Sequence, residues 1–468
     1  MPCRGLPLAK GSPRRWFLGL ALIGLAERLA LRLVYSPASF GDTPSYMRLA
    51  GALQQSGLGS FDGTRVPGYP AFLALLGRDP GTVWLAQLAL GWGASMLLFS
   101  LGWKTTGSLR LGAAAAMLYN LTAGLVLFEA NLLSESLTAF LVLLSLGLLM
   151  ALDRRVTRKG KGDPGGKYGE WGLAAGLGIT AALAGLTRPL FYALPPVLAP
   201  FVWLAGGLLR RADRSVDMRA EAGRRIVRLA AFGLPSALLL GGWILWVYRT
   251  YEMFSPTTLG GYNLVQHTGE YFEYLPDEQA TLRDTYLKYR DAQIAARGTQ
   301  ANAIWDAIPE LSQVSGLSFF GLSAELQRLS LQLIRQHPLL YLENVIEGWI
   351  DFWKAPVYWD SAGLRFAGLR PLFSGWALFG RGLSLAANAA FLLASAAAVV
   401  SRSLRARLGL DWFSVALGGT IWTASVVQTL ADHGDNPRFL VPLQAVVMLA
   451  VLRAIRSWRR GHAAASWT

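Results

Sequence analysis

Ten long apolar stretches alternate with polar gaps along this chain, near 16–35, 83–103, 111–128, 132–152, 171–187, 190–209, 229–248, 378–400, 412–431 and 438–456. Each approaches the roughly 20 residues that a helix needs to cross a bilayer. The pattern predicts an all-α polytopic membrane protein of about ten spans. Arg14 and Arg15 precede the first stretch and no cleavage-like site follows it, so it reads as a retained helix rather than a signal peptide. The residues able to do chemistry sit in the gaps. Asp42 follows the first stretch, Glu129 and Glu135 bracket the gap after the third, and Arg188 follows the fifth. Asp432, His433, Asp435 and Arg438 fill the turn before the last.

Two gaps are too long to be simple turns, and they divide the chain into a membrane module over 1–249, an extramembrane segment over 250–377 and a second membrane module over 378–468. The first gap, 36–82, holds a polar run from Asp42 to Ala50, where Thr43 or Ser45 can cap a short helix and Pro44 fits its first turn. A second short helix is expected after the rigid bend Arg65-Val66-Pro67-Gly68-Tyr69-Pro70. In the other gap, 277–293 and 322–336 read as helices and 256–276 as a loop with a short strand. Residues 338–353 alternate apolar runs with Glu343, Glu347 and Asp351, the pattern of an amphipathic helix lying in the interface with Trp349, Trp353 and Trp359 as anchors. The Gly/Lys-rich piece 160–169 reads as a mobile loop.

Charge sets the orientation. The formal net charge of +15 suggests nucleic-acid binding until its placement is considered. With the N-terminus on the cytoplasmic side, alternate gaps collect Lys104 and Arg110, the run Arg154 to Lys161, the stretch Arg210 to Arg228, then Arg402, Arg405 and Arg407, and finally Arg453 to Arg460. Every basic cluster falls on one side, as the positive-inside rule requires. The segment 250–337 has the opposite balance, ten acids against six bases. The charge therefore reports topology in a multi-pass cytoplasmic membrane, with both termini inside and no nucleic-acid partner. One cysteine, Cys3, excludes a disulfide framework and a cysteine zinc site.

The remaining acids and arginines share the outer face. Asp42 can be an ordinary helix cap; it can also take a proton from an acceptor hydroxyl, or help ligate a divalent cation such as Mg or Mn. Glu135 lies one turn inside a span, where a charge implies function, and Glu129 is shallower. Arg65, Arg188, Arg249 and Arg438 all lie on the side where no topology signal is needed. Their forks suit phosphate oxygens, although lone arginines also snorkel to lipid headgroups. Tyr46, Asn263, His267, His433 and Asp435 complete a candidate substrate surface; His267 follows a flexible Gly260-Gly261 pair and His337 more simply ends a helix. The chain has no HExxH, Walker or GxGxxG motif in a suitable setting.

Ordered short motifs resemble the bacterial branch of the membrane-embedded GT-C glycosyltransferases, the group of the protein O-mannosyltransferase-like and aminoarabinose-transferase-like enzymes. They are Gly41-Asp42-Thr43-Pro44-Ser45-Tyr46, Arg65 through Pro70, Glu135 opening a span and Leu186-Thr187-Arg188-Pro189. Trp246 through Arg249, Gly261-Tyr262-Asn263-Leu264, His337-Pro338 with Tyr341, and Asn436-Pro437-Arg438-Phe439 with Pro442 follow in the same order. The resemblance implies a polyprenyl-phosphate-sugar donor and inverting transfer on the outer face to a lipid, glycan or protein acceptor. It carries the first-loop aspartate onto Asp42 and the second acid onto Glu129 or Glu135. Relatives often have two adjacent acids where Asp42 is followed by Thr43, which weakens a metal site, and Arg-Tyr where this chain has Arg438-Phe439. The competing classes are a flippase of lipid-linked sugars, and a polysaccharide ligase or polymerase with a diphosphate-linked donor. A transporter would carry polar residues deep within several broken helices, whereas here they gather at one surface.

Overall fold

The computed structural model describes residues 12–159, 167–206, 218–434 and 436–465, so the 160–169 loop falls largely outside it. Helices of eight residues or more are numbered in chain order. Helix α1 (Pro13–Val34) leads into the first long gap, which folds into α2 (Thr43–Ser56) and α3 (Gly68–Leu75). Helices α4 (Pro80–Thr106), α5 (Leu109–Leu121), α6 (Glu135–Lys159), α7 (Lys167–Thr187), α8 (Leu194–Leu204) and α9 (Met218–Tyr251) complete the first membrane module. The second long gap carries α10 (Gly260–Thr268), α11 (Ala280–Arg297), α12 (Ala303–Ser315), α13 (Phe319–Gln336) and α14 (Pro338–Phe352). Helices α15 (Arg370–Val400), α16 (Trp412–Ala431) and α17 (Val441–Ala465) end the chain. The protein is all-α and multi-pass: among the described residues no strand occurs, only a parallel bridge between Ala38 and Asn131.

Every predicted span has a helix at its place, but not every one is long and apolar enough to cross. Seven are, namely α4, α6, α7, α9, α15, α16 and α17. Three differ for separate reasons. Helix α1 has the length but carries Glu27, Arg28 and Arg32 among its leucines. The third stretch is broken: α5 stops at Leu121, the chain bends by 67° and the short helical piece continues to Ala130. Thr122 makes the break, turning extended at φ −86° and ψ 99° while its hydroxyl donates back to Leu118 O at 2.6 Å. The sixth stretch is a short apolar element, Pro189–Leu204, interrupted by Pro200.

In lipid the helices gain little from hiding apolar surface, so packing rests on close approach of small side chains. Helix α7 shows this, burying Ala174, Leu177, Ala181 and Ala184 along one face at helical spacing. Basic residues of several gaps meet at one end, where Arg456 donates to Thr106 O and Arg453 pairs with Asp411. At the other end, the loop end, the two long gaps lie together. Tyr251 Oη donates to Phe61 O at 2.7 Å and Thr258 N to Gly63 O at 2.9 Å.

Helices α10 to α13 build a second apolar core around Tyr262, Phe272, Tyr286, Leu311, Leu326 and Leu329. Helix α13 supplies it with Leu322, Leu326, Leu329 and Leu333, one face at intervals of three and four. The expected short strand within 256–276 is absent among the described residues. That segment is α10 followed by a 3-10 turn over Gly269–Tyr274, because Tyr262, Val265, Tyr271 and Phe272 all serve this helical core.

Helix α14 lies against α16. Tyr341 near its start donates to Leu430 O at the loop end of α16. Trp349 then stacks on Trp422, eight residues or about 12 Å farther along α16. Trp353 packs on Phe391 and its carbonyl accepts from Asn388 Nδ2. The tryptophans at 349 and 353 thus pack between helices. The chain then returns to α1, where Asp360 N donates to Tyr35 Oη and Arg365 N to Val34 O.

Candidate active site

The site is assembled where α2 and α6 begin side by side. Ala38 N donates to Ala130 O at 2.9 Å and Leu132 N to Ala38 O at 3.0 Å, stitching the first gap to the stretch before α6. Thr43 Oγ1 donates to Leu132 O and accepts from Phe40 N. These contacts bring the starts of both helices together, and each start presents an acid. Asp42 immediately precedes α2 and Glu135 opens α6, where the unsatisfied N–H groups of a helix start favour a carboxylate. Asp42 does not serve as a side-chain cap. Both its oxygens go to arginines instead.

Three arginines close around the two acids. Arg65 Nη2 lies 2.6 Å from Asp42 Oδ1, and Arg438 Nη2 pairs with Asp42 Oδ2. Arg438 Nε lies 3.1 Å from Glu135 Oε1, and Arg188 Nη1 lies 2.9 Å from the same oxygen. The result is a continuous chain, Arg65–Asp42–Arg438–Glu135–Arg188, drawn from four separate segments. Local sequence fixes each arm. Pro189 drives Arg188 into extended backbone, φ −144° and ψ 126°, which ends α7 at that residue. A Cβ on Gly68 would meet Leu186 O at 2.6 Å and Thr187 N at 2.9 Å, so only glycine lets α3 back onto this helix end. Phe439 lies beneath both neighbouring guanidiniums, 4.6 Å from Arg188 and 5.8 Å from Arg438. Tyr46 sits under Arg65 at 5.5 Å, its hydroxyl 3.4 Å from Ser134 Oγ.

Burial and charge set the chemistry. Side-chain exposure rises from 1% for Glu135 and 5% for Arg188 to 12% for Arg438, 19% for Asp42 and 28% for Arg65. The cluster is deep at the Glu135 end and opens at the Asp42 end. Burial alone would raise the Asp42 carboxyl, but Arg65, Arg438 and Arg188 outweigh it and hold it at about 2. Among the described residues, three guanidiniums and two carboxylates share this ion-pair chain. That donor set does not suit a divalent cation, since each oxygen of Asp42 is already held by an arginine. No group of three or more His, Cys, Asp or Glu converges among the described residues either.

The other candidates lie elsewhere. Glu129 is wholly buried against Arg28 at 2.6 Å and takes no part in the ion-pair chain; the bend at Thr122 turns it into the bundle toward α1. Arg249 is exposed at the end of α9 and joins none of the cluster's ion pairs. Asn263 is half-buried on α10. His267 is buried with its ring edge-on to His433 at 5.4 Å and to Tyr341 at 5.5 Å. Burial, then the neighbouring His433, pushes His267 down to about 3, so it is neutral at ordinary pH. Asp435 lies outside the described residues. Sequence reasoning passed over Glu27 and Arg28, and the signal was present: two adjacent charges inside the first apolar stretch.

No protein-family model and no curated protein matches the chain. Solved membrane transferases show a likeness at low identity. The Archaeoglobus fulgidus oligosaccharyltransferase in its apo form is 15% identical at TM-score 0.49, with 93% of this chain and 50% of that one covered. The same organism's oligosaccharyltransferase AglB, in complex with an inhibitory peptide and a dolichol-phosphate, is 14% identical at TM-score 0.48, over 97% and 52%. ArnT from Cupriavidus metallidurans bound to undecaprenyl phosphate is 15% identical at TM-score 0.30, over 94% and 77%. The chain thus spans about half the length of the archaeal enzyme.

Proposed function

We propose that the protein is an inverting glycosyltransferase that moves a sugar from a polyprenyl-phosphate-linked donor to an acceptor on the extracytoplasmic face of the cytoplasmic membrane. The observation that carries this reading is the convergence of Arg65, Arg188 and Arg438 on Asp42 and Glu135, in a cluster that opens at the loop end of the bundle. The end opposite bears the basic gaps, which under the positive-inside rule supports an outward-facing cluster. A membrane-anchored phosphodiester would bring its charge to this depth while its tail stays in lipid.

In that reading the donor phosphate competes with Asp42 for Arg65 and Arg438. Drawing the arginines away frees an Asp42 oxygen and raises its basicity, so donor binding arms the base. An acceptor hydroxyl or amide then attacks the anomeric carbon and gives its proton to Asp42. The bond from that carbon to the phosphate oxygen breaks, and its electron pair leaves with the polyprenyl phosphate. The leaving group gains one negative charge, which Arg188 and Arg438 stabilise; preorganised cations of this kind are worth several kcal/mol. Glu135 holds those two arginines on a common oxygen. One carboxylate suffices, because a phosphate leaving group needs little protonation.

The direct test is transfer from labelled polyprenyl-phosphate sugars by the purified chain in nanodiscs. Transfer from monophosphate-linked donors, inhibited by polyprenyl phosphate, supports the reading. Transfer only from diphosphate-linked donors makes the protein a ligase or polymerase. Movement of an intact lipid-linked sugar across a bilayer without transfer makes it a flippase and overturns the proposal.

A further inference from the structure

A second buried ion pair lies beside the site and has no place in the mechanism above. Arg28 is on α1, six residues or about 9 Å inside its loop end. Its Nη2 lies 2.6 Å from Glu129 Oε1, and its Nη1 donates to Gly24 O at 3.0 Å and to Asn120 Oδ1 at 3.4 Å. Arg28 Nη1 also lies 3.5 Å from Glu27. A Cβ on Gly91 would come within 1.9 Å of the Glu129 carboxylate, so α4 keeps a glycine where that carboxylate enters.

The backbone around Glu129 is held with equal care. Gln87 Nε2 donates both to Glu129 O at 2.9 Å and to Asn131 O at 2.7 Å, while Gln87 Oε1 accepts from Tyr69 Oη at 2.7 Å. Ala130 O accepts from Ala38 N, and Leu132 O from Thr43 Oγ1. Four consecutive residues, 129–132, are therefore tied through their backbones to α4 and to the first gap. The stretch ends at Glu135, and Asp42 precedes Thr43.

We propose that the Arg28–Glu129 pair is a positioning device: it locks the turn after the bent span, so that residues 130–134 set the spacing between Asp42 and Glu135. The role assigned to that spacing rests on the glycosyltransferase reading; the locking of the turn does not. An apolar pair would fill the same volume at less desolvation cost, but only a directional pair fixes which way the turn faces. Glu27 and Glu129 flank one arginine, so the device carries no cation to spare for a ligand.

The test compares wild type, Glu129→Gln, Arg28→Lys and the apolar double variant Arg28→Met/Glu129→Leu, all as full chains in nanodiscs. Hydrogen exchange over residues 36–43 and 128–134 reads the lock, and kcat against KM for transfer reads its consequence. In Glu129→Gln, exchange in those two segments should quicken about tenfold while the core of α10 to α13 stays protected. Its kcat should fall about tenfold with donor KM little changed. Arg28→Lys should keep most of both properties. The double variant should regain thermal stability yet keep fast local exchange and low kcat. Wild-type exchange in folded Glu129→Gln, or full recovery of exchange and kcat in the double variant, would overturn the proposal. Should wild type show no transfer at all, the functional reading fails, and exchange alone still decides whether the pair locks the turn.

Discussion

The Arg28–Glu129 pair and the Asp42–Glu135 cluster use the same two side-chain chemistries and arise six residues apart in the sequence, yet they are built to different rules. The first is sealed: Arg28 is 3% and Glu129 0% exposed, and one arginine faces two acids. The second opens toward Arg65, and among the described residues three arginines line two acids. A third assembly, Arg228 with Glu170 near the basic end, follows the sealed rule, with Arg228 also donating to Val202 O and Trp203 O. An ion pair closed off from solvent serves to hold the structure. Several arginines beside an opening are what an anionic ligand can use.

The contrast makes graded demands. Asp42→Asn should cost the most, about 10²–10⁴ in kcat, with the protein inserted and folded as wild type; transfer rates that survive this change would remove Asp42 from the role of base. Arg188→Ala and Arg438→Ala should each cost about 10²–10³ in kcat/KM. Arg438→Lys should not restore it, since an ammonium cannot bridge Asp42 and Glu135 at once. Arg228→Met should do the reverse: about 3–5 kcal/mol of stability lost, with turnover per folded molecule unchanged, as measured by thermal midpoint and active-site-normalised rates.

The pH behaviour separates the regions further. Asp42 is held at about 2 in the free protein, so it is ionised throughout the ordinary range. The acid limb of kcat/KM should lie below pH 4. The limb of kcat should lie higher, because bound donor has taken the arginines. Arg65→Ala should move the kcat/KM limb upward; coincident limbs in wild type would contradict the competition between donor and Asp42. His267 gives the smallest effect. Its folded value of about 3 lies below its ordinary 6.5, so the stability it allows is complete above 6.5 and declines as pH falls toward 3. Thermal midpoints between pH 7 and 4 should fall less in His267→Gln than in wild type.

Much of this was legible in the sequence because charge in an apolar chain is conspicuous. Asp42, Glu135, Arg188 and Arg438 were visible as charges at the ends of apolar runs, and Arg65 as part of a rigid Pro/Gly bend. Their pairing was not, since it depends on four segments far apart in sequence meeting at one end. The resemblance left the second acid open between Glu129 and Glu135 because the break at Thr122 is a backbone event; threonine followed by alanine gives no strong stop signal. The position of α14 was equally hidden. Its glutamates mark an exposed face, but only the partners of Trp349 and Trp353 reveal that its other face lies against α15 and α16. Helical content in 256–276 was missed because Gly260-Gly261 reads as a turn, whereas the core formed with α13 overrides that propensity.

The measurement closest to the central claim is a structure of the full chain with a polyprenyl-phosphate analogue in a lipid environment. The account predicts phosphate oxygens at about 2.7–2.9 Å from the guanidiniums of Arg188 and Arg438, with Arg65 or Arg438 withdrawn from Asp42. Phosphate bound elsewhere, with the chain from Arg65 to Arg188 intact as in the unliganded protein, would contradict it.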